Sequence, residues 1–155
     1  MYKRILVPLD GSERAEQILP HAENLATKGK STVILLYVIE PVAPSFTPGM
    51  SMMVAAPPQE LEIYWKNMQA AEKEASEYLQ KQAAALSKKE IKTEAVVLRG
   101  EPVNSIVNTA REKDVDLIAM TSHGRSGLER VFYGSVTSGV LHKVDRPLLI
   151  VRAQK

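Results

Sequence analysis

The chain has 155 residues, 45% hydrophobic and 25% charged, with a net charge of +2, which suits one globular domain with a substantial core. So small a charge, with no basic run and no basic–aromatic alternation, gives no electrostatic case for nucleic acid as a partner. The lack of cysteine excludes disulfides, thiolate catalysis and Cys-ligated metals; no apolar run is long enough to span a membrane, and Met1-Tyr2-Lys3-Arg4 leads straight into a strand, so a cytoplasmic protein is expected.

Ile5 to Leu9 is a short continuous apolar run, as expected of a strand buried on both faces. Asp10-Gly11-Ser12 ends it, and Ser12 is a good N-cap for a following helix. Ala15, Ile18, Leu19, Ala22, Leu25 and Ala26 then fall at helical spacing, with Pro20 inside the pattern expected to bend or loosen the helix. His21 and Glu23 flank that stripe as a solvated face. Gly29 stops the helix, and Thr32 to Ile39 reads as the second buried strand. Gly29-Lys30-Ser31 imitates the tail of a P-loop, but Asn24 stands in place of the first glycine and the triplet precedes a strand. No G-x-G-x-x-G occurs, so a dinucleotide fingerprint is absent.

The composition shifts between Pro41 and Pro58, which hold Pro44, Pro48 and Pro57 between them together with Met50, Met52 and Met53. Prolines at this density prevent regular structure. Two readings stand: an adaptable Met-rich flap over a site, or a disordered insertion in a single domain spanning 1–155. Leu61, Tyr64, Met68, Ala71, Ala75, Tyr78, Leu79 and Leu86 mark a long amphipathic helix. Ile91 to Leu98 is a third strand, partly alternating and so nearer an edge. Arg99-Gly100-Glu101-Pro102 turns the chain, with Pro102 placed for a first helical position. Val103, Ile106, Val107 and Ala110 form the next helical stripe, and Asp116 to Met120 the fourth strand. Val136, Val140, Leu141 and Val144 are expected to line the last helix, and Leu148 to Val151 is the fifth strand.

The most informative stretch runs from Ile118 to Pro147. An apolar strand enters a loop of Thr121, Ser122, His123, Gly124, Arg125, Ser126 and Gly127, and Gly134-Ser135 then opens a helix. Glycine lets backbone approach a ligand closely, and a helix start offers free amide donors at a positive end. Strand, glycine loop and helix start together hold phosphate in many α/β proteins; an ordinary strand-to-helix connection has the same composition. Five strands alternating with four helices mean an α/β sandwich with a parallel sheet. If the first and fourth strands are neighbours, Asp10 and the 121–134 loop face one crevice beyond the strands' carboxyl ends.

The opening I-L-V-P-L-D-G-S, the L-L-Y-V of the second strand, the R-G-E-P turn, and D-L-I-A-M-T-S-H-G-R-S-G-L…G-S-V-T…R-P-L-L-I-V together resemble the universal stress protein family. The resemblance covers nearly the whole chain except the Pro/Met-rich insertion. It implies a doubly wound five-stranded parallel sheet of order 3-2-1-4-5 with helices on both faces. The ATP-binding branch of that family carries Gly, two residues, Gly, nine residues, then Gly-Ser or Gly-Thr. Gly124, Gly134 and Ser135 match the later elements, whereas Thr121 replaces the first glycine. A threonine there adds a β-branched side chain and resists positive φ, but its hydroxyl offers a hydrogen bond to phosphate or ribose. The resemblance places Pro8, Leu9, Asp10 and Val38 around adenine and ribose, Met120 and Gly124 along the loop, and Gly134, Ser135 and Val136 around the phosphates. Asp10 is either an acceptor for the ligand or a helix-entry residue; Arg125 and Arg130 either offset phosphate charge or are simply exposed. The implied ligand is ATP or AMP, with magnesium as the accompanying ion for the triphosphate.

A dedicated enzyme is not expected. There is no G-x-S-x-G elbow, and Ser122, His123, Ser126 and Ser135 have no evident orienting acid. His21, His123 and His142 lack metal-ligand spacing. An S-G-G-x-D-S loop after the first strand is also absent. Only slow ATP hydrolysis stays open, because positioned phosphates and a metal need little covalent help. Two functions therefore stand: a nucleotide-dependent stress-response regulator with an unidentified protein partner, or a protein-interaction module of the same fold with a vestigial pocket. The terminal strand Leu148 to Val151 would lie bare on a sheet edge, and both that exposure and the resemblance imply a homodimer paired through it.

Overall fold

The computed structural model describes residues 1–41, 58–122 and 133–153, so the Pro/Met-rich segment 42–57 lies outside the described residues. In chain order the elements are β1 (Arg4–Leu9), α1 (Glu13–Glu16), α2 (Leu19–Gly29), β2 (Thr32–Ile39), α3 (Pro58–Ser87), β3 (Lys92–Arg99), α4 (Pro102–Glu112), β4 (Leu117–Thr121), α5 (Ser135–Lys143) and β5 (Leu148–Val151). The strands form one sheet of order β3-β2-β1-β4-β5, with every neighbouring pair parallel. Arg4 pairs with Thr32 on one side of β1, and Ile5 with Leu117 on the other. The chain thus winds outward from β1 in both directions, as the family resemblance implies.

Side chains alternate across a strand, and that alternation divides the core in two. Ile5, Val7, Leu35 and Ala119 face α1, α2 and α3, where Ala15, Ile18, Ala22, Leu79 and Leu86 close over them. Leu6, Ile34, Leu36, Ile118 and Met120 face α4 and α5, packed under Ile106, Ala110 and Val140. Continuous apolar runs in β1 and β2 follow from this burial on both faces.

Several local features depart from the periodicity. The single helix expected after Ser12 is broken in two: Ser12 caps α1 through Ala15 N at 3.1 Å, and Pro20 lies in the first turn of α2. Proline has no N–H to donate and its ring crowds the carbonyl four residues back, so it sits where a helix begins. Gly29 is the last residue of α2, and Lys30, at φ 51°, is the left-handed residue that ends it. Gly29 is needed for space, since a Cβ there would lie 2.7 Å from Ser31 Oγ. In α5, Val140 is buried and Val136 and Val144 pack beside it, but Leu141 is 44% exposed. Leu141 is rotated about 100° from Val140, off the sheet-facing stripe. Thr137 is buried instead, donating its hydroxyl to the Thr121 carbonyl at 2.9 Å.

Helix α3 has 30 residues, about 45 Å, whereas the eight residues of β2 span about 26 Å. Met68, Ala75, Leu79 and Leu86 are buried against the sheet. The N-terminal turns run on past the strands' carboxyl ends, and so Leu61, expected in the apolar stripe, is 39% exposed.

Candidate functional site

A cavity of about 740 Å³ opens over the carboxyl ends of β1, β2 and β4. It lies where the strand order reverses, between β1 and β4, the place at which open parallel sheets leave a crevice. Pro8, Leu9 and Asp10 line it from β1 and its exit, and Val38 from β2. Met120 and Thr121 contribute from the end of β4, and Gly134, Ser135 and Val136 from the start of α5. Nine residues singled out from four separated stretches thus share one cavity. Gly124 and Arg125, together with His123, Ser126 and Arg130, lie outside the described residues.

Local chemistry holds these walls in place. The Asp10 carboxylate accepts from Ser12 N at 3.0 Å and from Ser12 Oγ at 2.6 Å, while Ser12 Oγ caps α1. Short polar side chains bond their own backbone in this way at turns, so the helix-entry role of Asp10 is real. Its backbone carbonyl also accepts the Tyr37 hydroxyl at 3.2 Å, which ties the exit of β1 to β2. Asp10 still borders the cavity, so this anchoring fixes the carboxylate's direction without removing it from the site.

At the opposite wall, Gly134 is the N-cap of α5, with φ −63° and no side chain to occupy the first-turn amides. No acid lies in that first turn, and His142 and Lys143 lie in the last. The positive end of α5 is therefore presented to the cavity, an arrangement that favours an anion. The φ of Gly134 is one that any residue adopts, so the absence of a side chain, and not backbone freedom, is what glycine supplies here. Thr121 has ordinary strand geometry and is absent from the positive-φ residues, so the expected conflict with a positive φ does not arise. Among the described lining residues the charged groups are Asp10, Glu40 and Glu74, all carboxylates.

Sequence reasoning missed the α3 and α4 walls. Ala71, Glu74, Ala75 and Tyr78 come from α3, and Pro102 and Ile106 from α4. Helical periodicity had marked most of them as core positions, and nothing in the pattern says which turn of a helix overlooks a strand end. Tyr37 and Tyr78 meet edge to face, with ring centroids 6.0 Å apart and planes at 73°. Burial, and then the Glu16 carboxylate, push the Tyr78 phenol above its ordinary value. Among the described residues no group of three or more His, Asp or Glu is arranged to hold a metal, and no helix is long and apolar enough to cross a membrane.

Known proteins share both sequence and architecture with this chain. The universal stress protein MJ0577 of Methanocaldococcus jannaschii is 34% identical over 158 residues, covering 98% of this chain and 96% of its own. The solved structure of hypothetical protein MJ0577 superimposes with a TM-score of 0.82 at 30% identity, covering 100% of this chain and 99% of that one. The universal stress protein from Archaeoglobus fulgidus, solved in complex with dAMP, shares the fold at a TM-score of 0.64 and 21% identity, covering 96% and 97% of the two chains. The sequence profile described as the universal stress protein family matches residues 1–152, and with the sheet order and the cleft walls already in place, the chain belongs to that family.

Proposed function

We propose that this protein binds an adenine nucleotide, ATP or AMP, in the cleft between β1 and β4, and works in the cytoplasm as a small dimeric regulator of a stress response. The observation that carries the reading is the convergence of Pro8, Asp10, Val38, Met120, Gly134 and Ser135 on one cavity with a positive helix end in its wall. Base and ribose lie against Pro8, Leu9, Val38 and Met120, with the Asp10 carboxylate accepting from ribose or base. Thr121 lies at the ribose–phosphate junction, and the phosphates meet the amides of Ser135 and Val136 next to Gly134. Gly124 and Arg125 belong to the same proposed site by sequence position alone. A triphosphate brings magnesium on its own oxygens, since the described residues hold no carboxylate cluster for it. The dAMP complex of the Archaeoglobus fulgidus protein supports an adenine nucleotide as the ligand class.

Two measurements test this. Mass spectrometry of small molecules released from the purified, denatured protein is expected to identify AMP or ATP. Gly134→Val, which fills the phosphate position, is expected to abolish ATP binding in calorimetry while leaving the thermal unfolding midpoint within a few degrees. Equal ATP affinity in both proteins overturns the site.

A second reading, an interaction module without nucleotide, is favoured by one observation. Thr121, buried at 5% exposure, stands where the family's ATP-binding branch has glycine. No nucleotide in the released fraction and no heat with ATP would establish it.

A further inference from the structure

Ser122 lies just beyond β4, outside the cavity lining, and is 2% exposed. All three of its polar groups are used, and they point to two different parts of the molecule. Its carbonyl accepts from Gly134 N at 2.8 Å, at the N-cap of α5. Its own N–H donates to the Val151 carbonyl at 2.8 Å, at the end of β5. Its hydroxyl accepts from Ala153 N at 3.3 Å, in the segment that follows β5. One residue earlier, the Thr121 carbonyl takes the hydroxyl of Thr137 from the first helical turn. An unbroken chain of hydrogen bonds therefore runs from the amide end of α5, through Ser122, to the sheet edge.

We infer that Ser122 is a positioning residue that couples occupancy of the cleft's phosphate end to pairing of the β5 edge. The inference rests on the proposed nucleotide site and on the proposed β5 dimer. An anion on the amides of Ser135 and Val136 holds the first turn of α5, and with it Gly134 and the carbonyl of Ser122. Fixing Ser122 from that side fixes the two groups that hold Val151 and Ala153. A strand end already ordered loses less conformational freedom when a second copy pairs with it. Ligand binding then favours the dimer, and the dimer by linkage favours the ligand to the same degree. The hydroxyl is the specific element, because the two backbone bonds would form with any residue at this position, whereas the bond from Ala153 needs Ser122 Oγ.

The test is sedimentation equilibrium of the full chain, which gives the dimer dissociation constant with and without saturating ATP, alongside calorimetry of ATP binding. In the unmodified protein ATP is expected to lower the dimer constant by about fivefold or more, the lower end of ordinary couplings. Ser122→Ala is expected to bind ATP with unchanged affinity as monomer while the ratio of dimer constants falls to within about twofold of one. A wild-type ratio within twofold, in a protein that both binds ATP and dimerises, overturns this inference and leaves the site and the dimer standing. Absence of ATP binding, or of any dimer, overturns the reading beneath it and this inference together. Full coupling retained in Ser122→Ala also overturns it. Should Ser122→Ala fold poorly, Ala153→Pro removes the same hydrogen bond from its donor side; the ratio is expected to fall likewise, and full coupling retained there overturns the inference.

Discussion

Thr121 ends β4 with its side chain buried and its carbonyl bound to Thr137. It needs no unusual backbone angle, so the bulk of the side chain is what sets it apart from a glycine at this position. Thr121→Gly is expected to tighten ATP binding by allowing closer approach, at a stability cost of about 0.5–1 kcal/mol for glycine in a strand. If the threonine hydroxyl itself bonds the ligand, affinity falls instead by about 1 kcal/mol, and the sign in a titration decides. Tyr78 makes a second prediction at this scale. Its phenol titrates above the ordinary value of 10.0 because burial and Glu16 disfavour the phenolate. A group whose folded pKa is raised contributes stability that is complete below its unfolded value and is lost as pH climbs from there toward the folded value. Denaturant unfolding between pH 9 and 12 should therefore show wild type losing stability more steeply than Tyr78→Phe above about pH 10. Parallel profiles would mean that Tyr78 does not carry the shift.

Among the elements, α4 and α5 cross where Gly139 meets Val103. A Cβ on Gly139 would lie 2.6 Å from one Val103 methyl and 3.2 Å from the other, and a β-branched side chain has few rotamers with which to yield. Two effects compete in Gly139→Ala: helix propensity favours alanine by about 1 kcal/mol, and overpacking costs about 1–3 kcal/mol. Overpacking wins, and the variant is expected to be destabilised by about 1 kcal/mol. In a Val103→Ala background the clash is gone and the same substitution is expected to stabilise. Additive effects in that double-mutant cycle, measured by urea unfolding, would show that the contact does not matter. The crossing bears on the site because α5 carries Gly134 and Ser135 at one end, and its seat on α4 sets where its amides point. α3 acts at the same scale by a different route: Ala71 and Tyr78 line the cleft from the middle of a helix whose neighbouring residues Met68, Ala75 and Leu79 are packed as core.

Across the whole molecule, the sheet has two edges of unlike chemistry. β3 carries Lys92, Glu94 and Arg99, with Glu94 paired to both Arg4 and Lys113 and Arg99 to Glu72. Charges of that kind discourage another strand from adding to an edge. β5 is Leu148-Leu149-Ile150-Val151, with every residue only part-buried and no charge among them. The contrast favours β5 as the edge that pairs with a second copy in the proposed dimer. Ile150→Pro, opposite Met120 in the β4–β5 register, removes a backbone donor from this strand. It is expected to convert the dimer into monomer or aggregate, read by multi-angle light scattering with circular dichroism to check the fold. A monodisperse monomer for the unmodified protein at micromolar concentration overturns the dimer.

At this same scale the line between sequence and tertiary structure falls at particular residues. Strand identities were legible because β1 and β2, buried on both faces, leave continuous apolar runs, and β2 and β5 fall at the expected residues. Motif spacing and the family resemblance pointed to Asp10, Thr121 and Gly134 as one candidate site across more than a hundred residues of chain, and the three line one cavity. The break at Pro20 was only half legible: a proline marks a disturbed helix, but whether the chain bends or restarts depends on how Ile18 and Ala22 pack beneath it. Leu61 and Leu141 look like core residues by period, yet both are exposed, because periodicity assigns a face and not the length or width of the layer beneath it. For the same reason Glu74, Tyr78 and Ile106 joined the cleft only in the folded chain. Ser122 is the clearest case, since its hydrogen bonds among the described residues reach Gly134, Val151 and Ala153. Local pattern determined the elements of this protein; which ends of those elements meet was decided by parallel sheet winding, which brings distant strand ends side by side.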